Sequence, residues 1–235
     1  MNPSSNEAGA GTPGSEVAWP DAFYILRAMD IEPGLSHALV AFPRLQRYSQ
    51  FAVLQYNRVA HTLELYRTSM PDGAPPCPVF PDVHMYFIVW DTVLDMINVI
   101  CKPQMIRQTA IVRRKHLEIL EHYRSGRDDF EHYDERMPGS RGKRSRPVVL
   151  DASRMEGGGV VMHGEVTGAM EVWSTGHIDA SGIYSFADRQ WDVGSSSLER
   201  LQYIVAEVAT TFREEVRTLA SIADGDGMPN AAPTS

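Results

Sequence analysis

Arg127, Asp128 and His132 are the residues whose types and spacing could do chemistry in this chain. They belong to the run Arg127-Asp128-Asp129-Phe130-Glu131-His132, inside a stretch from His122 to Arg136 that holds the densest gathering of ionisable and aromatic side chains. An arginine is a permanent planar cation able to grip a phosphate, and a histidine moves a proton near neutral pH. Cleavage of a phosphodiester by its own 2′-hydroxyl needs both, a base on the hydroxyl and positive charge on the developing phosphorane, and it needs no metal. In that chemistry His132 is the general acid/base and Arg127 the phosphate ligand. Asp128 orients the pair, and Tyr133 stacks on a base. Arg136, Arg141, Lys143, Arg144 and Arg146 follow at once, and read either as further phosphate contacts or, the commoner role of such a run, as a solvated basic loop.

A plainer reading stands beside it. Arg127 and Glu131 are one helical turn apart and make an ordinary ion pair, while Asp134 or Glu135 could hold His132. Residues five apart on one helix are also turned about 140° from each other. Arg127 and His132 therefore share a ligand only if the backbone bends at Ser125-Gly126, the arginine reaches round, or a second protomer contributes. A homodimer is the expected assembly.

The elements that must position this stretch are legible from hydrophobic period. From about Ser36 to Thr68, Leu45, Tyr48, Ala52, Val59, Leu63 and Tyr66 recur at helical intervals, with Arg44, Arg47, Arg58, Glu64 and Arg67 on the wet side. The Pro-rich segment 71–78 breaks that helix. From about Asp82 to Lys102 the chain is apolar around most of a helix's circumference, apart from one stripe of Asp91, Asp95, Asn98 and Lys102. Such a helix is central, its stripe solvated or paired with arginines of a neighbour.

A third helix is expected from about Gln104 to Tyr123, with Met105, Thr109, Val112, His116, Ile119 and Tyr123 on one face. Ser125-Gly126 interrupts it, and Asp128 and Asp129 suit the first turn of a new helical piece. The period then changes. Between 147 and 193, Val148-Leu150, Val160-Met162, Met170-Trp173, Ile183-Phe186 and Trp191-Val193 are separated by turn residues, which predicts a small antiparallel meander. Ser196-Ser-Leu-Glu199 reads as a capping box opening a last helix, buried through Leu198, Leu201, Val205, Val208, Phe212, Val216 and Leu219. The fold class is mainly α (α+β): a bundle of about four long helices with a β-insertion before the last. One domain spans 19–223, and residues 1–18 and 224–235, rich in Gly, Ser, Pro and Ala, are expected to be disordered tails.

A chain of 235 residues with 43% hydrophobic and 22% charged residues can bury one good core. Its net charge of −8 opposes a broad basic nucleic-acid surface and leaves only the local patch after the central stretch. The run Met85–Cys101 is broken by Asp91 and Asp95, so no membrane span is expected. Cys77 and Cys101 are too few for a disulfide framework, and with no secretory signal at the N-terminus the expected location is cytoplasmic.

Arg127, the polar Asp128 after it and His132 at the right gap, late in a helical bundle, resemble the HEPN superfamily. Its ribonuclease members are all-helical proteins carrying arginine, a polar residue and then histidine. The resemblance implies metal-independent RNA cleavage at a cleft between two protomers, with RNA as substrate, no cofactor, and an antitoxin protein as a further partner in toxin or defence systems. The 147–193 meander departs from the basic HEPN pattern. Two other readings stay open. One is a HEPN-like interaction module that binds RNA, a nucleotide or a partner protein without cleaving. The other is a metal site drawing on His122, Asp129 and His132 with Asp91 or Asp95, although the chain has no Glu-x-x-His or His-Glu-x-x-His motif.

Overall fold

A computed structural model of the chain describes residues 22–69, 80–131, 148–150, 170–172, 177–178, 182–186 and 189–225. Five helices are present among them: α1 (Ala22–Ile31), α2 (Leu35–Ser69), α3 (Phe80–Ile100), α4 (Arg107–Glu131) and α5 (Ser195–Ala223). Five short strands lie between α4 and α5: β1 (Val148–Leu150), β2 (Met170–Val172), β3 (His177–Ile178), β4 (Ile183–Phe186) and β5 (Arg189–Asp192). The fold is mostly helical with a small antiparallel β segment before the last helix. The tails at 1–18 and from 226 onward, and the strand expected at Val160–Met162, lie outside the described residues.

α3 is the hub. It packs against α2 and α4 and touches α5, while α4 and α2 also pack on α5. Tyr86, Phe87, Trp90, Val93, Leu94, Ile97 and Ile100 are fully buried. By length and composition alone, Pro81–Ile100 could cross a membrane. Here its apolar circumference is used against the other helices, as expected of a central helix. α2 runs through Pro43 without stopping. Its expected core positions Leu45, Ala52 and Val59 are buried, and Arg44, Arg47, Arg58 and Glu64 are exposed.

Four local points differ from the sequence reading. α1 has no counterpart in the sequence reading. It packs on α5 through Ile25 and Ala28, and Arg27 reaches Asp224 at 2.8 Å. Met105, expected within a helix starting at about Gln104, is exposed and precedes α4. Third, α4 does not break at Ser125-Gly126; it continues to Glu131. A Cβ on Gly126 would lie 3.0–3.1 Å from the Phe87 ring, so the glycine serves close packing with α3 rather than a turn. Asp128 and Asp129 consequently sit in the last helical turn, where the dipole opposes their charge, and not in a first turn.

The fourth correction concerns α5, whose N-cap is Gly194 without a side-chain cap bond. The Asp192 carboxylate instead accepts the Gly194 N–H at 2.7 Å and the Ser196 hydroxyl. Asp192, the last residue of β5, thereby ties the strand's end to the N-cap and first turn of α5. The expected buried face of α5 is otherwise buried as read.

The β segment forms two antiparallel ladders. β1 pairs with β2 with Val148 opposite Val172, and β3-β4-β5 form a three-stranded sheet with Tyr184 opposite both Ile178 and Trp191. β4 alternates half-buried and buried side chains, placing Tyr184 and Phe186 inward. Tyr184, Phe186, Trp191 and Val193 belong to the main core. Phe87 of α3 meets Tyr123, Phe130, Tyr184 and Trp191 with ring centroids 5.6–6.1 Å apart. Burying a ring of this size contributes roughly 2–3 kcal/mol. The β4–β5 hairpin is thus a wall of the core.

Candidate functional site

Arg127 lies on the α4 face that meets α3. Its guanidinium forks onto Glu131 at 2.8 and 2.9 Å and reaches Asp91 of α3 at 3.1 Å, with Asp128 at 3.8 Å. The helical ion pair read from Arg127 and Glu131 is therefore formed. One turn earlier, Arg124 bonds Asp91 and Asp95, each at 2.5 Å, with Glu121 at 3.6 Å. Burial opposes the charge on Arg124, but Asp91 above all, with Asp95 and Glu121, outweighs it and holds the guanidinium above its ordinary value. Two arginines are shared among five carboxylates.

The Asp91/Asp95 stripe pairs with arginines of the neighbouring helix, one of the two outcomes read from the sequence. Asp91 is only 7% exposed, so its charge is held inside by the two guanidiniums. Asp128 is half-exposed and touches only the edge of the network. Asp129 is buried at the α4 end, 3.4 Å from Arg189 of β5.

His132 and Tyr133, the expected acid/base and stacking residue, lie outside the described residues, as do Arg136, Arg141, Lys143, Arg144 and Arg146. The histidine that the described structure does place near Arg127 is His84 of α3, which the sequence reading missed. Its imidazole stacks on Phe130 at 5.0 Å. Burial lowers its pKa, Glu131 opposes that shift, and Arg127 adds to it. The signal was available: His84 precedes Asp91 by seven residues, two helical turns on one face of α3. Arg124 was missed too, though it stands three residues before Arg127.

His122 is likewise lowered by burial, with the Gln190 backbone opposing and Arg189 adding to the shift. Its ring stacks on Trp191 at 5.6 Å, and its carbonyl accepts the Trp191 indole N–H at 2.8 Å. The Tyr123 hydroxyl donates to the Asp192 carbonyl at 2.6 Å. These bonds pin β5 to α4 beside the network. With His122 against Trp191, Asp129 toward Arg189 and Asp91 on two arginines, no group of three potential metal ligands converges among the described residues.

Chemically, the network can clamp α3 to α4. A phosphodiester approaching Arg127 would have to displace Glu131 and Asp91 while meeting their negative charge. No family model matches the chain, and no curated protein and no solved structure matches it.

Proposed function

We propose that the chain is a HEPN-like interaction module that binds without cleaving, and that Arg127 holds two helices together rather than a phosphate. The observation that carries this reading is the forked engagement of the Arg127 guanidinium by Glu131 together with its bond to Asp91. Stabilising a phosphorane requires positive charge preorganised toward the reacting atoms. Here the carboxylates Asp91, Asp95, Glu121, Asp128 and Glu131 outnumber Arg124 and Arg127.

A second reading keeps Arg127 and His132 as a metal-independent ribonuclease pair, the site being completed in a homodimer. Its support is that the Arg127 side chain remains one-third exposed and stands at the end of α4. RNA cleavage in the presence of EDTA separates the two. The module reading expects the wild-type chain, Arg127→Ala and His132→Ala to share the same background rate. EDTA-resistant cleavage by the wild type that both substitutions abolish, with the fold intact by circular dichroism, establishes the ribonuclease instead.

A further inference from the structure

Away from the Arg127 network, at the opposite end of α4, the turn from α3 into α4 borders an open cleft of about 740 Å³. Lys102, Arg107, Arg113 and Arg114 are among its lining residues, and no Asp or Glu lines it among the described residues. None of these four cations makes a salt bridge among the described residues. Arg113 is half-buried, and its Nε donates to Asn98 Oδ1 at 2.5 Å, which fixes the guanidinium plane and leaves both terminal nitrogens for a ligand. Arg107, Ile111 and Arg114 recur at offsets of four and three, one face of α4.

The nearest acids are already engaged. Glu215 of α5 accepts the Gln108 and Thr109 N–H groups at 2.6 and 2.9 Å, and Glu32 accepts the Met105 N–H at 3.1 Å. With the Arg107 N–H on the Met105 carbonyl, the first three amides of α4 are spent, and an anion in the cleft falls to the side chains. Burial pushes the Cys101 thiol in the wall up to about 11, so no thiolate competes near neutral pH. Exposed Ile111 and buried Ile106 add apolar surface beside the cations.

On a chain of net charge −8, unpaired positive charge gathered in one concavity is a local trap for anions. The volume is that of a small-molecule site rather than a track for a strand. We propose that this cleft binds a small ligand bearing two or more linked phosphates, of the nucleoside diphosphate kind, with Arg113 as the fixed fork and Lys102, Arg107 and Arg114 around it. The apolar side takes the rest of the ligand. This goes beyond the reading of Arg127 and does not depend on it.

Calorimetric titration of the full chain with ADP and with inorganic pyrophosphate, at low and moderate salt, tests the site. Both ligands are expected to saturate and to weaken as salt rises. Arg113→Gln with Arg114→Gln, and separately Lys102→Gln with Arg107→Gln, each lower affinity by about tenfold or more, as loss of charged hydrogen bonds requires. Arg113→Lys keeps the charge but not the fork and falls between. Arg44→Gln with Arg47→Gln removes equal charge from exposed arginines of α2 and leaves binding unchanged. The proposal is overturned by failure of pyrophosphate and ADP to saturate the wild type, by equal losses in the cleft and α2 variants, or by single-stranded RNA outcompeting ADP. The cleavage assay reports on Arg127 and His132, so each test can fail without the other.

Discussion

The two ends of α4 carry the same residue type and treat it in opposite ways. At the C-terminal end Arg124 and Arg127 are consumed by carboxylates, three of them from α4 itself and two from α3. At the N-terminal end Arg107, Arg113 and Arg114 face a cleft that no carboxylate lines among the described residues. An arginine's role in this bundle is set by what the facing helix brings to it. α3 brings Asp91 and Asp95 to one end and Asn98 to the other, with Lys102 in the turn that follows it. Arg127 and Asp128, singled out by motif spacing, fall at the end where charge is quenched. The free cations stand where no motif drew attention.

The sharpest way to break this contrast is Arg124→Ala. It strands Asp91, nearly buried, without its shorter guanidinium contact, and a cost of about 3 kcal/mol is expected in urea unfolding. Arg127→Ala should cost less, since Glu131 can turn to water. Equal losses for the two would mean that Asp91 is not the centre of the network.

At the other end, Glu215→Ala removes a carboxylate that caps α4 from α5, including a 2.6 Å bond from the Thr109 hydroxyl. A loss of about 1–2 kcal/mol is expected, with faster hydrogen exchange confined to the first turn of α4. Exchange accelerated along the whole helix would contradict a local cap.

The smallest effect lies between the two ends. Glu207 of α5 accepts from Lys115 at 2.7 Å and is bonded to His116 at 2.8 Å, and these hydrogen bonds bring its carboxyl down to about 2. Because the folded value lies below the ordinary 4.5, the stabilisation is fully present above about 4.5 and fades as pH falls toward 2. The group is at the rim, so solvent screening limits the effect to about 1 kcal/mol. Glu207→Gln should flatten that part of the stability–pH curve, and an unchanged slope would show that other carboxylates govern it.

How much of this was legible follows from the range of each signal. The cores of α2, α3 and α5 are written in local period, and the structure keeps Leu45, Val59, Trp90, Leu201 and Phe212 inside. Gly126 was misread because a glycine before acidic residues looks like punctuation, and only the Phe87 ring across the helix pair explains it. The cap of α5 was misassigned for the same reason: Asp192 comes from a strand whose docking the sequence does not state. α1 is one short helix whose partner, α5, lies at the far end of the chain. Of the candidate site, Arg127 and Asp128 were named, whereas His84 and Arg124 needed the face shared by α3 and α4.

By itself the sequence determined that the chain makes a helical bundle with strands before its last helix, because period and turn chemistry act over a few neighbouring residues. Only the tertiary structure decided that Asp91 of α3 joins Glu131 on Arg127, that Gly126 is a packing position and that the cations near the start of α4 meet no carboxylate among the described residues. A charge's availability depends on what comes within about 4 Å of it, and in a bundle part of that company arrives from other helices.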